Sequence, residues 1–294
     1  MNLIDIGANL THDAFAADRE AVLARAKASG VTGMVVTGSS LACSRAALAL
    51  AQAHPDLLRC TAGVHPHHAA DEKPCSLAEL ATLWDAPEVV AVGETGLDFF
   101  RDFSPRSEQE RVFEWHLEQA GRTGLPLFLH ERDAHARFLP MIRACRDLLS
   151  DAVVHCFTGD RTALYAYLDL GLYIGITGWI CDERRGAHLL ELVRDIPAER
   201  LLIETDSPYL LPRDLRPRPR DGRNEPAFLP HVLAAVARAR GDEPALLGQQ
   251  TTANARQFFR WPAENGASGP ERPAADRFIA QAGVVAGRTH SIEP

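Results

Sequence analysis

The sequence predicts an α/β fold, a parallel TIM (β/α)8 barrel. Three observations carry this. Eight short apolar runs recur along the 294 residues, and most lack the alternation of a half-solvated strand; continuous apolar runs are what a parallel sheet covered on both faces requires. Longer amphipathic stretches rich in Ala, Leu, Glu and Arg separate the runs, as repeated βαβ units demand. The hydrophobic content of 46% supports a large core, and the length suits a barrel of about 250 residues with an extension. A doubly wound open sheet is the alternative fold. The count of eight, and the lack of a G-x-G-x-x-G turn after any run, favour the barrel.

The elements follow in order. The first run, "LIDIGA" (3–8), leads to an amphipathic stretch over 14–30, with Gly30 where a helix C-cap belongs. Then come "GMVVTG" (33–38), "RCTAGV" (59–64) and "EVVAVGE" (88–94). After the fourth run, "SEQERVFEWHLEQAGRTG" (107–124) is helical in pattern and closes at Gly124. "LPLFLH" (125–130), a helical stretch over 133–150, "AVVHCF" (152–157), "GLYIGIT" (171–177) and "RLLIETD" (200–206) complete the set. Two further helical stretches, 227–241 and 243–259, close a domain placed at 1–261. Residues 262–294 are Ala/Gly/Pro-rich without clear periodicity and are expected to form a flexible tail with a short helix near 274–284.

Composition narrows the function classes. The net charge is −8, so nucleic acid and anionic membranes repel the chain at long range, and a phosphate-bearing substrate needs a local positive site. The six cysteines include no Cys-x-x-Cys pair, which argues against a structural zinc site and a disulfide framework and for reduced thiols in the cytoplasm. The N-terminus shows no basic segment followed by an apolar stretch, and no run reaches 18 apolar residues, so neither a signal peptide nor a membrane span is expected. Nothing in the pattern calls for an obligate protein partner, and a monomer is expected.

Ionisable residues gather where the apolar runs stop. The third run leads to His65 and His67, the fourth to Glu94 and Asp98, the fifth to His130, the sixth to His155, and the eighth to Glu204 and Asp206. In a parallel barrel these ends share one face, the face that carries barrel active sites. So many buried carboxylates without matching lysines need countercharge, and a divalent cation supplies it. Imidazole and carboxylate ligands without thiolate suit zinc, manganese or magnesium. Beside this face runs "LLPRDLRPRPRDGRNEP" (210–226), with arginines at 213, 216, 218, 220 and 223. Its prolines argue for a fixed loop, and Arg presents donors suited to phosphate oxygens. Arg184 and Arg185 lie just past the seventh run. Phe99, Phe100, Phe157, Trp179 and Tyr209 are placed either to stack on nucleobases or to fill the core.

The segments "TAGVHPH", "VAVGETGLDF", "LHERDAHARF", "VVHCFTGD", "YIGITGWICDERRG", "LIETDSPYLLPRDL" and "RNEPAFLPHV" together resemble the TatD-type metal-dependent deoxyribonucleases over about residues 1–259. The resemblance implies a TIM-barrel hydrolase acting as a 3′–5′ exonuclease on single-stranded DNA and RNA, in DNA repair or nucleic-acid turnover, with a divalent metal, usually magnesium. It implies metal ligation by Glu94, His130 and His155, a role for Asp206 as ligand or proton acceptor, and His65 near the scissile phosphate. His67, Arg213, Arg223, Asn224 and Glu225 are the substrate-binding candidates. One departure stands out: the family's D-x-H-x-H start reads "DIGAN" here, with Gly7 and Asn9 at the histidine positions. Gly7 has no side chain to bind metal, while Asn9 offers a carbonyl oxygen as a weak first-strand ligand. Two rivals stay open from the residues alone: a hydrolase of a small-molecule C–N or ester bond on the same barrel, and a non-catalytic nucleic-acid-binding barrel.

Overall fold

Eight parallel strands pair in chain order in one sheet: β1 (Leu3–Ala8), β2 (Val31–Val36), β3 (Leu58–Ala62), β4 (Val89–Asp98), β5 (Leu127–Arg132), β6 (Ala152–Val154), β7 (Tyr173–Ile176) and β8 (Leu201–Ile203). The computed structural model describes residues 2–261; the tail expected over 262–294 lies outside the described residues. The ring closes just past β8, where the Asp206 amide donates to the Gly7 carbonyl at 2.8 Å and the Asn9 amide to the Ser207 carbonyl at 2.7 Å. The predicted barrel is the observed one.

Helices alternate with the strands: α1 (Arg19–Ala28), α2 (Leu41–Ala53), α3 (Pro74–Leu83), α4 (Arg106–Thr123), α5 (His135–Cys145), α6 (Arg161–Asp169), α7 (Leu189–Leu192), α8 (Leu229–Arg240) and α9 (Pro244–Phe258). Local chemistry sets several ends. Ser40 and Asp160 accept backbone N–H bonds as N-caps of α2 and α6. Gly124 ends α4 with φ 65° and returns its N–H to Ala120, a left-handed cap that glycine adopts without steric penalty.

The strands are buried on both sides, as their unalternated composition requires: every residue of β1, β4 and β6–β8 is buried. β4 runs four residues past Glu94. It does so through Gly93 and Gly96, at φ 139° and 145°, where any Cβ would collide with the backbone of β5, and the register slips between Gly93 and Thr95. The slip carries both Glu94 and Asp98 along one strand to the mouth. One apolar layer lies between barrel and helices, and a second fills the barrel, where Ile4, Val35, Val90, Tyr173 and Leu202 meet Phe258 and Phe259 at the end of α9. Phe128 belongs to this inner layer, and the His155 ring stacks on it at 4.5 Å. The barrel is therefore apolar below Phe128 and ionisable above it. Among the described residues no helix is long and apolar enough to cross a membrane.

Candidate metal centre

The strand ends enclose a cavity of about 730 Å³ lined by His65, Glu94, His130, His155 and Asp206, with His67 and Asn9 beside them. Six strand ends thus meet, those of β1, β3, β4, β5, β6 and β8, as the strand-end reading expects. At the centre stands Glu94 Oε1, 2.8 Å from His155 Nε2, 3.1 Å from His130 Nδ1 and 3.4 Å from His65 Nε2. Asp98 Oδ2 holds His67 Nε2 at 2.7 Å and stands 3.5 Å from His130 Nε2.

The donors fit a divalent cation. Ligating atoms of His65, Glu94 and His130 lie within 4.8 Å of one another. His130 Nε2 is buried and makes no hydrogen bond, standing 3.5 Å from Asp98 Oδ2, and a buried ring nitrogen that forms no hydrogen bond is a position that can take a ligand. Imidazole with carboxylate is the donor set of zinc, manganese and magnesium sites.

The charges agree with that reading. Burial alone would raise the Glu94 pKa, but the charges of His65 and His155, with hydrogen bonds from His130 and His155, outweigh it and hold the carboxylate ionised. Burial opposes the charge on His155 too, yet Glu94 and Glu204 raise its pKa well above the usual value. Burial drives His65 well below its usual value against the pull of Glu94. Asp206 is pushed up to about 7, chiefly by burial and then by the charges of Glu94 and Glu204, against His155 and the Asn9 hydrogen bond.

The reduced first-strand motif has a structural counterpart. The carboxylate of Glu204, fully buried, occupies the space a side chain at position 7 would need: a Cβ on Gly7 would strike Glu204 Oε2, and one on Gly175 would strike Glu204 Oε1. Glu204 accepts the Cys156 backbone N–H and lies 3.4 Å from His155 Nδ1, so it orients the sixth-strand imidazole. The sequence placed Glu204 at a strand end and left it without a role. Its signal is the pair of glycines at 7 and 175, which only the closed ring brings to its two sides. Asn9 donates its amide to Asp206 Oδ1 at 2.9 Å and so positions that carboxyl.

The arginines divide. Arg213 pairs with Glu183 at 3.1 Å and faces Asp182 at 3.6 Å, lining a separate recess of about 240 Å³ beside the mouth. Arg223 is held by Asp18 at 2.8 Å and Glu225 at 2.7 Å, over the Phe15 ring. Glu225 also holds Arg25 at 2.7 Å. Asn224 is fully buried and donates to the carbonyls of Thr205 and Tyr209. Of the substrate-binding candidates, then, His67 lines the mouth, Arg213 stands next to it, and Arg223, Asn224 and Glu225 tie the loop to α1 and to the segment after β8 through the two terminal nitrogens of Arg223, the Asn224 amide and the Glu225 carboxylate, while Arg223 Nε is buried without a hydrogen bond. The arginines that line the mouth are Arg101, Arg132 and Arg185. The first two escaped notice because each is a single basic residue in an unremarkable context. Among the aromatics, Phe157 is core and Phe99 packs against it under Arg106. Phe100, Phe103 and Tyr209 are 52%, 68% and 51% exposed. Phe103, which the sequence reading passed over, lies 4.7 Å from His67, Arg132 sits over Phe100 at 4.1 Å, and Arg185 over Trp179 at 4.4 Å.

Comparison with known proteins agrees with this geometry. Residues 4–260 match the family described as TatD related DNase. A protein of Erwinia billingiae named 3′-5′ ssDNA/RNA exonuclease TatD is 54% identical over 261 residues, covering 89% of this chain and 100% of that protein. One of the same name from Edwardsiella piscicida is 55% identical over 258 residues, 88% and 99% of the two chains. Among solved structures, a TatD homologue from Escherichia coli superposes with TM-score 0.81 at 28% identity, over 88% of this chain and 98% of that one, and a TatD family hydrolase from Entamoeba histolytica with TM-score 0.80 at 25% identity, over 90% and 99%.

Proposed function

The chain belongs to the TatD-related DNase family, and from that premise we propose that it is a magnesium-dependent exonuclease that removes nucleotides from the 3′ end of single-stranded DNA and RNA in the cytoplasm. It is a hydrolase of nuclease type, and the small-molecule and non-catalytic alternatives are not favoured. The observation that best supports the substrate is the rim. Exposed Phe103 and Tyr209 line the cavity of Glu94 together with Arg101 and Arg132, which lie over the exposed Phe100 ring, and with Arg185, which is paired with Asp182 at 3.1 Å. Unpaired bases stack on aromatic faces and phosphates meet guanidinium groups, whereas a duplex keeps its bases stacked on each other.

Glu94, His130 and His155 would hold the cation, with Asp206 alongside. When bound, it supplies Lewis-acid polarisation of a phosphoryl oxygen and a lowered pKa for the attacking water. The protein's own groups do the rest. Asp206, fixed by Asn9 and raised to about 7 by burial, accepts a proton at neutral pH, where a general base works best. Glu204 holds His155 at Nδ1 and so fixes its orientation, which directs Nε2, 2.8 Å from Glu94, toward the place of the cation. His65, neutral under burial, donates a hydrogen bond toward the phosphate, and Arg101 and Arg132 offset the charge that develops there. Phosphate contacts carry little base information, so sequence preference is slight and activity declines as salt rises.

The test uses single-stranded oligonucleotides labelled at either end. Incubated with magnesium, a 5′-labelled strand should give a ladder that shortens with time, a 3′-labelled strand should release labelled mononucleotide at once, and EDTA should stop both. Internal cuts without a ladder, or unchanged digestion in EDTA, would overturn the reading.

A further inference from the structure

A second group of ligating side chains lies away from the mouth. Cys181 ends the turn that follows β7, Asp214 belongs to the arginine-rich loop, and His231 sits in the first turn of α8. One ligating atom from each lies within 4.8 Å of the others. His231 Nε2 and Asp214 Oδ1 are 2.7 Å apart, and the Cys181 sulfur lies within 4.8 Å of both partners' ligating atoms. Cys181 is 8% exposed, whereas the Asp214 side chain is 48% exposed, so the group is closed on the sulfur side and open to solvent on the oxygen side. None of the three residues lines the catalytic cavity.

We propose that Cys181, Asp214 and His231 form a zinc site that clasps the arginine-rich loop to the barrel. The donors are one sulfur, one nitrogen and one oxygen, a set that zinc accepts and magnesium does not. Zinc bonds of about 2.0–2.3 Å set tetrahedral donors roughly 3.3–3.8 Å apart; the three donors here lie within 4.8 Å of one another, and the imidazole and carboxylate, now 2.7 Å apart, would part slightly to admit the ion. Water from the open side takes the fourth position. Binding converts the thiol to thiolate and releases its proton to solvent. Without a cation, burial and the Asp214 charge push that thiol up to about 12; the nearby Arg238 acts the other way. The clasp joins three separate chain segments. Arg213, next to Asp214, lines the recess that shares Trp179, Arg185 and Leu210 with the mouth, so a pinned loop holds the recess wall in place. This inference does not depend on the catalytic reading.

Cobalt(II) is the probe, because a cobalt–thiolate bond gives a charge-transfer band in the near ultraviolet and ligands at the mouth other than a thiol do not. The mouth does hold Cys156, so the full chain is titrated as the Cys156→Ser variant after chelator treatment. One equivalent of cobalt should produce the band, and zinc should erase it. Adding Cys181→Ser should abolish it, and His231→Gln should weaken cobalt binding more than about tenfold. If Cys181→Ser does not fold, Asp214→Asn on the exposed loop carries the test, with the same loss of more than about tenfold expected. No band in the Cys156→Ser chain, a band that survives Cys181→Ser, or binding unaltered by His231→Gln and Asp214→Asn would overturn the site.

Discussion

Two sets of arginines, those of the loop over 210–226 and those at the mouth, differ in what surrounds them. In the loop over 210–226, Arg213 faces Glu183 and Asp182, and Arg223 faces Asp18, Glu225 and Asp221. At the mouth, Arg101 and Arg132 have no carboxylate partner among the described residues; they lie over the Phe100 ring. A guanidinium bound to a carboxylate has its planar donors occupied, while one on an aromatic face keeps its N–H groups directed outward. A dense run of arginines is therefore a poor guide to where phosphate binds. The local count of charges matters less than whether the fold supplies their partners.

The sharpest way to break this contrast is to disable the mouth while leaving the loop intact. Glu94→Gln keeps the shape and removes the charge that gathers three imidazoles, and should lower nuclease turnover by roughly 10³-fold, about 4 kcal/mol of barrier, with a lower melting temperature as well, because a carboxylate held below its ordinary pKa stabilises the fold at neutral pH. Retained turnover would mean that the chemistry lies elsewhere. Buried carboxyls, Asp206 at the mouth and Asp5 under Thr205, should also reveal themselves in stability. Burial pushes Asp5 and Asp206 from 3.8 to about 7. An acid with a raised folded pKa holds its proton longer when folded, so its penalty is absent below pH 3.8 and grows as pH climbs through that window to about 7. The metal-free protein should lose stability on the order of a few kcal/mol across it, read as a falling thermal midpoint, and Asp5→Asn should flatten the decline. Since His65 and His116, both lowered by burial, act in the opposite sense over the same window, the difference between parent and Asp5→Asn is what decides: identical pH slopes would contradict the assignment.

The loop should behave in the opposite sense. Arg223→Ala leaves Glu225 and Asp18 without one of their partners, and breaking such a partly buried network should destabilise the fold by about 1–3 kcal/mol. Turnover of the folded fraction should stay within about twofold. Denaturant titration paired with kinetics on the same preparation checks both halves; a stable but inactive variant would return Arg223 to the substrate path.

How much of this was legible follows the same division. The barrel, its eight strands and the convergence of Glu94, His130, His155 and Asp206 could be read because each is a local pattern, an apolar run with a polar end, repeated at intervals that the topology then aligns. The caps at Gly124 and the helix stretches were legible for the same reason. What could not be read was any property set by a partner distant in the chain. Glu204 fits only because residues 7 and 175 are both glycine. Arg223 is spent on Asp18 and Glu225. Asn224 serves the carbonyls of Thr205 and Tyr209. The Cys181, Asp214 and His231 group left no Cys-x-x-Cys trace because its ligands come from three elements.

The smallest expected effect bears most directly on the contrast, because it compares like with like. Arg132→Ala removes a mouth guanidinium, and kcat/KM on a single-stranded oligonucleotide should fall roughly tenfold, about 1.4 kcal/mol, with the loss in KM and the salt slope shallower by about one. Arg213→Ala removes an equal formal charge a short distance away, but that charge is already shared with Glu183 and Asp182; freeing those carboxylates offsets what is lost, and kcat/KM should move by less than about twofold. Arg132 lines the mouth and Arg213 the adjoining recess, and each substitution removes one positive charge, so the overall field changes alike. Comparable losses from the two substitutions would show that long-range charge, not paired versus unpaired guanidinium, brings the strand in, and the rim of rings and arginines would lose its claim as the path of the single strand.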